Sequence, residues 1–384
     1  MLEIPLSGIK KIEEIANSSN EYISLSQGSI KIGGIPEQVK EYVRALLKTD
    51  ITDYYGSCWG LKVLREKLAD VLSKNHGTTI TSRQVIPTHG CIGGLSLLYL
   101  TLLNPGDEVI IPEPAYPAYS TLLQAVRGKA VYVSCLKATT DDSSGIAWEM
   151  DVEKIKDATT SRTKFIIFSN PCNPLGMIIS KKTILELLEW CEKKEIYLII
   201  DEAYRDYVFA GSFYSSLECI NQSEWVISAN TFSKNMAMSG WRIGYLIIPE
   251  KLNKALAGMQ DALLNCLNNT AQYAALYALD HPEFTQTFHK QVKSNRDMAM
   301  NMLTPLLNQG IFSCTTPQGG FFIFLKTDQE DATNLCLSIL NKAKVGLIPG
   351  ASFGAVGAPF IRLCYARNPE VLEEGITRLL NYFL

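Results

Sequence analysis

Lys234 is the residue of this sequence with the surroundings that covalent chemistry requires. It lies in the segment T-F-S-K-N-M-A-M-S-G-W-R-I-G, residues 231–244, directly after a predicted strand. Apolar surroundings lower the pKa of an amine, which can then act as a nucleophile and form a Schiff base. The alternative is a solvated lysine, the usual state of this residue type.

Carboxylate and amide side chains follow two other predicted strands. The run Y-L-I-I-D-E places Asp201 and Glu202 after an apolar strand, where a carboxylate needs a cationic or hydrogen-bonding partner. The run N-P-C-N-P-L-G, 170–176, contains two Asn-Pro pairs, which favour a functional loop over a plain turn. Cys172 within it is expected to fill space, because no histidine lies nearby in the sequence.

Two further segments predict sites for an anion and for a planar ring. In V-I-P-T-H-G-C, 85–91, a helix begins near Cys91, so its free N–H groups are suited to an anion that Gly90 lets approach. A glycine turn that serves only packing is the alternative. In P-E-P-A-Y-P-A-Y, 112–119, Tyr116 or Tyr119 presents a flat ring to a ligand, or both rings pack beneath a helix.

These segments must be positioned by strands that end at one edge of a sheet. Strands are predicted at 84–87, 108–111, 130–134, 164–169, 196–201, 225–229 and 243–248, and helices at 91–103, 117–127, 151–157 and 181–194. Several strands are apolar at successive positions, as expected when helices cover both sheet faces. The pattern predicts a three-layer α/β large domain with a mostly parallel sheet, which binds ligands at the carboxyl ends of its strands.

The remaining chain predicts a smaller α/β domain. Residues 250–308 are predicted to be nearly continuous helix, interrupted near 281–282. They precede strands at 320–325 and 360–364 and helices at 331–343 and 369–382. We therefore divide the chain into an N-terminal arm with part of the small domain (1–45), a large domain (46–280), and a linking helix with the small C-terminal domain (281–384).

The composition excludes several classes of protein. With 384 residues, 47% of them hydrophobic, and a net charge of −3, disorder is excluded and binding to nucleic acid or membrane is not expected. Ten scattered cysteines without a C-x-x-C pair, and four histidines without H-E-x-x-H, predict no metal site and reduced thiols in a cytoplasmic protein. The N-terminus has no apolar run of signal-peptide length. The common nucleotide-binding and α/β-hydrolase motifs are absent.

In their order along the chain, these segments resemble the class I/II aminotransferases, which are fold-type I pyridoxal-phosphate enzymes. The family pattern S-x-S-K-x-x-x-x-x-G-x-R-x-G is similar to residues 231–244, and the resemblance extends from L-S-Q-G at 25–28 to I-R-L-C-Y-A at 361–366. It implies the fold-type I architecture, pyridoxal 5′-phosphate bound by the large domain, and transfer of an amino group between an L-amino acid and a 2-oxo acid.

The resemblance also implies the residues that hold the cofactor. Lys234 would carry it covalently. Its phosphate would be held by Gly90, Cys91, Thr231, Ser233 and Arg242. At this site His89 and Cys91 are atypical of the family, so their backbone N–H groups are the expected contacts and the roles of their side chains stay open.

The cofactor ring would contact four residues. Asp201 would pair with the ring nitrogen and keep it protonated, which makes the ring an electron sink. Asn173 and Tyr204 would hydrogen-bond the ring hydroxyl, and Tyr116 would stack on the ring. Together with Lys234, Asp201 and Tyr204 form the expected catalytic set.

For the substrate, the resemblance implies an arginine clamp and a shared site. Arg362 would bind the α-carboxylate bidentately, and Gly28, Tyr116 and Asn173 would lie beside the substrate. Tyr55 would reach the phosphate of a neighbouring subunit, which implies a homodimer with shared active sites.

Alternatives within and outside the family stay open. A lyase, synthase or oxidase would use the same carbanion; N-P-L-G at 173–176 is similar to aminocyclopropane-carboxylate synthases, whereas E-A-Y at 202–204 differs from the E-I-H of related carbon–sulfur lyases. A cofactor-sensing regulator would need an added DNA-binding module.

Substrate preference, pathway and higher oligomeric state do not follow from the sequence, but one expectation does. Dicarboxylate-specific relatives use a second cation. Here Cys91 follows Gly90, residues 262–275 contain no basic side chain, and Lys31, the one nearby candidate, is expected to be solvated. Weak discrimination for aspartate over neutral or aromatic amino acids is therefore expected.

Overall fold

The computed structural model describes residues 8–137 and 147–384. Its helices are α1 (Gly8–Ala16), α2 (Glu37–Leu46), α3 (Lys62–His76), α4 (Gly90–Leu102), α5 (Ala118–Ala125), α6 (Val152–Asp157), α7 (Lys181–Lys194), α8 (Phe232–Asn235), α9 (Asn253–Leu264), α10 (Asn269–Leu279), α11 (Pro282–Asn308), α12 (Thr333–Ala343) and α13 (Pro369–Phe383). Its strands are β1 (Ile23–Ser24), β2 (Val85–Thr88), β3 (Glu108–Glu113), β4 (Lys129–Ser134), β5 (Leu136–Lys137), β6 (Ala147–Trp148), β7 (Thr163–Ser169), β8 (Tyr197–Asp201), β9 (Val226–Thr231), β10 (Gly244–Ile247), β11 (Phe322–Lys326), β12 (Val345–Gly346), β13 (Ile348–Pro349) and β14 (Phe360–Cys364). The first seven residues of the predicted N-terminal arm lie outside this description.

A seven-stranded sheet forms the centre of the larger part of the molecule. Its order is β2-β10-β9-β8-β7-β3-β4, and its strands are parallel except β10, which is antiparallel to both neighbours. In β8, Leu198 and Ile200 belong to one hydrophobic cluster and Ile199 to another. Successive residues of a strand point to opposite faces, so both faces of the sheet are buried beneath helices. The three-layer α/β prediction is confirmed.

The site residues are positioned at one edge of this sheet. Asp201 is the last residue of β8 and Thr231 the last of β9. Because β10 is antiparallel, its first residue, Gly244, pairs with Thr231 at the same edge. A Cβ atom at Gly244 would lie 2.6 Å from the carbonyl oxygen of Asn230 and 2.9 Å from the amide nitrogen of Cys91. Only glycine allows this close approach.

A smaller group of strands lies in the C-terminal part. The antiparallel sheet has the order β11-β14-β13, and β1 pairs in parallel with β12. Helix α1 packs against β12 and β13, whereas α2 packs against α10. The domain boundaries at residues 45 and 280 stay predictions. Within the described ranges, no helix has both the length and the apolar character needed to cross a bilayer.

The predicted helix over 250–308 is divided at one place that the sequence analysis missed. Helix α9 ends before Asn265, which has a left-handed φ of 61°, and α10 begins after Asn268, whose side chain accepts a hydrogen bond from the amide of Ala271. Asparagine tolerates left-handed backbone and caps helices well. Apolar residues on both sides hide this break from a periodicity argument.

Candidate active site

The carboxylate of Asp201 lies at the buried centre of the site. Its Oδ2 accepts a hydrogen bond from Tyr119 Oη at 2.8 Å, and its Oδ1 accepts one from the amide of Ala203 at 3.0 Å. Burial raises the pKa of Asp201, although these two donors, the Cys91 thiol and the Lys234 amine all act to lower it. A carboxylate surrounded by donors in a dry site is oriented to receive one more.

Lys234 lies next to this carboxylate on the short helix α8. Thr231 caps the helix, because its hydroxyl accepts a hydrogen bond from the amide of Ser233 at 3.0 Å. The Lys234 amine donates to the carbonyl of Gly28 and lies 5.9 Å from the centre of the Tyr204 ring. Burial lowers the pKa of Lys234 to about 8. The amine is therefore far easier to deprotonate than that of a surface lysine.

Arg362 is a buried arginine without a carboxylate partner among the described residues. It lies on β14 and is 1% exposed. Its Nη1 donates to Asn173 Oδ1 at 3.0 Å, and its Nη2 donates to the carbonyl of Ser26 at 2.6 Å. Its Nε is buried with no hydrogen-bond partner in the described chain. Burial lowers the pKa of Arg362 to about 10. This unpaired cation suits a carboxylate ligand.

The aromatic walls of the site come from three elements. The guanidinium of Arg362 lies 4.2 Å from the centre of the Phe322 ring and 4.7 Å from that of Phe353. Gly28 lies against the same wall, since a Cβ atom there would be 2.7 Å from Phe322 Cζ and 3.5 Å from Tyr204 Oη. Any larger residue at position 28 would therefore close the space beside Arg362.

The first turn of α4 and Arg242 form a cradle open to solvent. Gly90 has a φ of 69°, and a Cβ atom there would lie 2.8 Å from Arg242 Nη2. Arg242 is exposed, and its Nη1 donates to the carbonyl of Ser239 at 2.7 Å. The buried Nε2 of His89 has no hydrogen-bond partner in the described chain, and burial followed by the charge of Arg242 lowers the pKa of His89. A cation and free backbone N–H groups at the start of a helix suit an anion.

Two of the predicted ring contacts adjoin residues that neighbour Asp201, since Tyr119 binds its carboxylate and Ser169 pairs with it in the sheet. Tyr116 packs edge-on against Tyr119, with 5.7 Å between ring centres. Asn173 is buried in the loop after β7, and its backbone N–H donates to Ser169 Oγ at 2.9 Å. Cys172 in the same loop is also buried, and its thiol donates to the carbonyl of Ser169 at 2.9 Å, as expected of a space-filling residue.

Tyr55 lies apart from these residues. It belongs to the segment 54–61, which we call the Tyr55 loop. Tyr55 is 84% exposed and Tyr54 is 74% exposed. The loop is nevertheless fixed, because Gln260 of α9 and Asn269 of α10 donate side-chain hydrogen bonds to its carbonyl groups at 2.6 and 2.9 Å. A fixed loop that displays large aromatic side chains is typical of a surface that binds another protein.

Lys31 is paired rather than simply solvated. Its Nζ lies 3.7 Å from Glu13 Oε1, although its side chain is 47% exposed. Glu13 itself is 4% exposed and accepts hydrogen bonds from the hydroxyls of Ser24 and Ser26. The Lys31 charge is therefore partly neutralised by this chain.

The sequence analysis missed two contacts of Asp201. Tyr119 was considered only as a ring for stacking, and its hydroxyl binds the carboxylate instead. Cys91 was predicted for its amide, and its thiol hydrogen-bonds Asp201 as well. The signal for Tyr119 was its place in P-A-Y-P-A-Y, but that run does not show which of its two tyrosines faces Asp201. Among residues 8–137 and 147–384, histidine, cysteine and acidic side chains form no group that could hold a metal.

This chain belongs to the aminotransferase class I and II family, whose model matches residues 20–379. It is 31% identical over 335 residues to an aspartate aminotransferase of Sulfolobus acidocaldarius, which covers 85% of this chain and 82% of that protein. The solved structure of an aspartate aminotransferase from Thermotoga maritima matches with a TM-score of 0.87 at 28% identity, over 99% of this chain and 97% of the other. An aromatic aminotransferase from Pyrococcus horikoshii matches with a TM-score of 0.85 at 27% identity, over 97% and 98%. The predicted family, fold and transaminase function are confirmed.

Proposed function

We propose that this aminotransferase binds pyridoxal 5′-phosphate around Lys234 and uses it to exchange an amino group between an L-amino acid and a 2-oxo acid. The position of Lys234 carries the proposal. Its half-buried amine is attracted by the Asp201 carboxylate and repelled by the Arg362 guanidinium, so both groups lie near it. These partners suit, respectively, a protonated ring nitrogen and a substrate carboxylate.

The residues present fit this cofactor. Each carboxylate oxygen can accept two hydrogen bonds, so Asp201 can receive a ring N–H in addition to Tyr119 and Ala203. The proposed contacts of the ring are Tyr116, Asn173, Asp201 and Tyr204, and those of the phosphate are Gly90, Cys91, Thr231, Ser233 and Arg242. When bound, the cofactor accepts the electron pair that the substrate Cα releases.

The protein residues then bind the substrate and move the proton. Arg362 holds the α-carboxylate with the guanidinium N–H groups that Asn173 and Ser26 do not occupy. The rings of Phe322 and Phe353 keep water away from this ion pair. Lys234, with a pKa of about 8, is matched to removing and returning a proton near neutral pH.

A second copy of the chain completes the proposed site. The fixed and exposed Tyr55 loop supports a homodimer in which Tyr55 reaches the phosphate bound by the partner. We also propose a cytoplasmic location, because all ten cysteines are unpaired and the buried ones need no oxidising compartment.

The proposed substrates are neutral and aromatic amino acids, with weak discrimination for aspartate. The Lys31 charge is engaged by Glu13, and Cys91 binds Asp201. A distal carboxylate without a cation would cost several kcal/mol on burial. The named relatives include both aspartate and aromatic aminotransferases.

The experiment loads the protein with pyridoxal 5′-phosphate, reduces it with borohydride and maps the peptides by mass spectrometry. We expect the pyridoxyl mass on Lys234, none in Lys234→Ala, and full labelling in the matched surface variant Lys254→Ala. Label on another lysine would refute the assignment. A panel of amino acids and 2-oxo acids, followed by mass spectrometry of the products, tests the reaction.

A further inference from the structure

The strongest unassigned feature is Arg367, three residues after β14 and 1% exposed. Its Nε donates to the carbonyl of Ser24 at 2.8 Å, its Nη1 to that of Ser29 at 2.7 Å, and its Nη2 to that of Gln27 at 2.5 Å. One guanidinium therefore holds three carbonyl groups of a single segment, residues 24–31, which we call the N-terminal loop.

The carbonyl groups between these three face the site. The carbonyl of Ser26 accepts from Arg362 Nη2 at 2.6 Å, and that of Gly28 accepts from the Lys234 amine. A peptide group whose carbonyl is bound to Arg367 cannot rotate without breaking that bond, and the orientation of its neighbours is thereby limited. The guanidinium of Arg367 thus helps to fix the orientation of the carbonyls that the loop presents to Arg362 and Lys234.

Contacts other than those of Arg367 fix the base of the N-terminal loop. Ser24 Oγ donates to Glu13 Oε2 at 3.0 Å, Ser26 Oγ donates to the same carboxylate, and the amide of Lys31 donates to the carbonyl of Ala366 at 3.0 Å. These contacts anchor the ends of the loop and one side chain. Within the loop, the amide of Ser29 donates to the carbonyl of Gln27 at 2.9 Å, and the carbonyl of Leu25 accepts from the amide of Cys364 at 2.8 Å. Arg367 adds a side-chain donor to the carbonyls of residues 24, 27 and 29.

We propose that Arg367 is a positioning residue for substrate binding: through the N-terminal loop it aligns Arg362 and Gly28 for the α-carboxylate of the amino acid. The inference rests on the proposed function. A planar guanidinium satisfies several carbonyls at fixed angles, which the ammonium group of lysine cannot reproduce. Loss of Arg367 would remove the donor that binds the carbonyl of Ser29 and one of the two that bind the carbonyl of Gln27.

The test compares Arg367→Met and Arg367→Lys with the control Arg378→Met. Arg378 on α13 also binds the N-terminal segment, through the carbonyl of Glu21 at 2.8 Å, but outside the N-terminal loop. Steady-state kinetics give KM and kcat for one amino acid, and hydrogen exchange with mass spectrometry reports the loop in cofactor-free and cofactor-loaded protein.

For both Arg367 variants we expect KM to rise roughly tenfold or more with a smaller change in kcat, as for lost ground-state binding. Loop amides should exchange faster, with β7 and β8 unchanged. Arg378→Met should behave as wild type in KM. Wild-type KM in both Arg367 variants would overturn the inference, even if the loop exchanged faster, because Arg367 would then only stabilise the fold.

If the Arg367 variants fail to fold, a measurement on the wild-type protein still tests the inference. A 2-oxo acid that binds Arg362 should slow amide exchange in the N-terminal loop of the loaded protein, and unchanged exchange would overturn the inference. A wild-type chain that takes up no cofactor and transfers no amino group refutes the proposed function. An active wild type with unaffected Arg367 variants refutes the inference alone.

Discussion

The two ends of the candidate site differ in how complete they are within one chain. At the inner end, Asp201 and Arg362 are buried and Lys234 is half-buried, and the hydrogen-bond partners of all three belong to the same chain. At the outer end, Arg242 and Tyr55 are exposed, and the cradle at the start of α4 opens to solvent.

The difference follows from the energetics of burial. Removing a charge from water is costly unless its partners are already in place, so the inner groups must be arranged by folding itself. Exposed groups stay hydrated and have no such cost, so they need no partner until a ligand or a second copy of the chain binds. We therefore expect substitutions at the inner end to change the chemistry, and substitutions at the outer end to change loading and assembly.

The largest effect is expected for Asp201→Ala. Loss of the carboxylate removes the group that would keep the ring nitrogen protonated, and turnover should fall by roughly 10²–10³-fold or more. Some cofactor should remain bound, because the outer end is intact. Single-turnover kinetics and cofactor absorbance measure the two quantities separately. Near-normal turnover would show that the inner end is not the chemical centre.

A smaller inner-end effect is expected for Tyr119→Phe. The lost hydrogen bond to a charged group is worth about 1.5–3 kcal/mol, which predicts at least a tenfold loss of turnover. Because the Tyr119 hydroxyl lowers the pKa of Asp201, its removal raises that pKa, and the acidic limb of the pH–activity profile should move to higher pH.

Tyr99→Phe is the matched control for this substitution. Tyr99 is 1% exposed, as is Tyr119, but its hydroxyl has no hydrogen-bond partner in the described chain. Its loss should leave turnover and the pH profile unchanged. If both variants behaved alike, the contact between Tyr119 and Asp201 would have no functional role.

At the outer end, Tyr55→Phe should weaken cofactor binding by at least about tenfold, because one hydrogen bond to a charged group is lost. Mixed dimers with Lys234→Ala subunits contain one site with both groups and one with neither. At limiting cofactor, the mixture should therefore exceed the activity of the Tyr55→Phe parent.

The neighbouring exposed residue supplies the control for the mixed dimers. Tyr54→Phe should bind the cofactor as wild type, so mixing it with Lys234→Ala subunits should give no such gain. An impaired Tyr55→Phe parent whose activity does not rise on mixing would place Tyr55 outside the partner's site.

The smallest effect concerns the substrate. We expect the ratio of kcat/KM for aspartate to that for methionine, phenylalanine or alanine not to exceed about 1, since a distal carboxylate without a cation is costly to bury. Lys31→Ala should change this ratio little, because Glu13 already binds the lysine. A strong preference for aspartate that disappears in Lys31→Ala would identify Lys31 as the missing cation.

The central sheet could be predicted because its strands are buried on both faces. The apolar run at 196–201 corresponds to β8 and that at 225–229 to most of β9. In contrast, β1 and β12 have two residues each, which is too short for any periodicity to show. The break before α10 depends on one left-handed asparagine, and local composition does not reveal it.

The candidate site residues that lie in a recognisable local motif could be predicted from the sequence. Asp201 ends β8 and Lys234 follows β9, each in a recognisable run, and the structure places them near each other. The roles of Tyr116 and Tyr119 could not be separated, since both occur in one run. Arg367 contacts Ser24 across 343 residues of sequence, and no local pattern reports such a contact.

The Tyr55 loop has a consequence for how the protein is made. Its carbonyls bind side chains 202 and 215 residues further along the chain. A ribosome synthesises the loop early, but α9 and α10 emerge only after most of the polypeptide. The loop therefore stays unfixed while the nascent chain grows, and its aromatic side chains reach their final geometry late. In the proposed homodimer, the loop would therefore be able to pair with a second copy only in nearly finished chains.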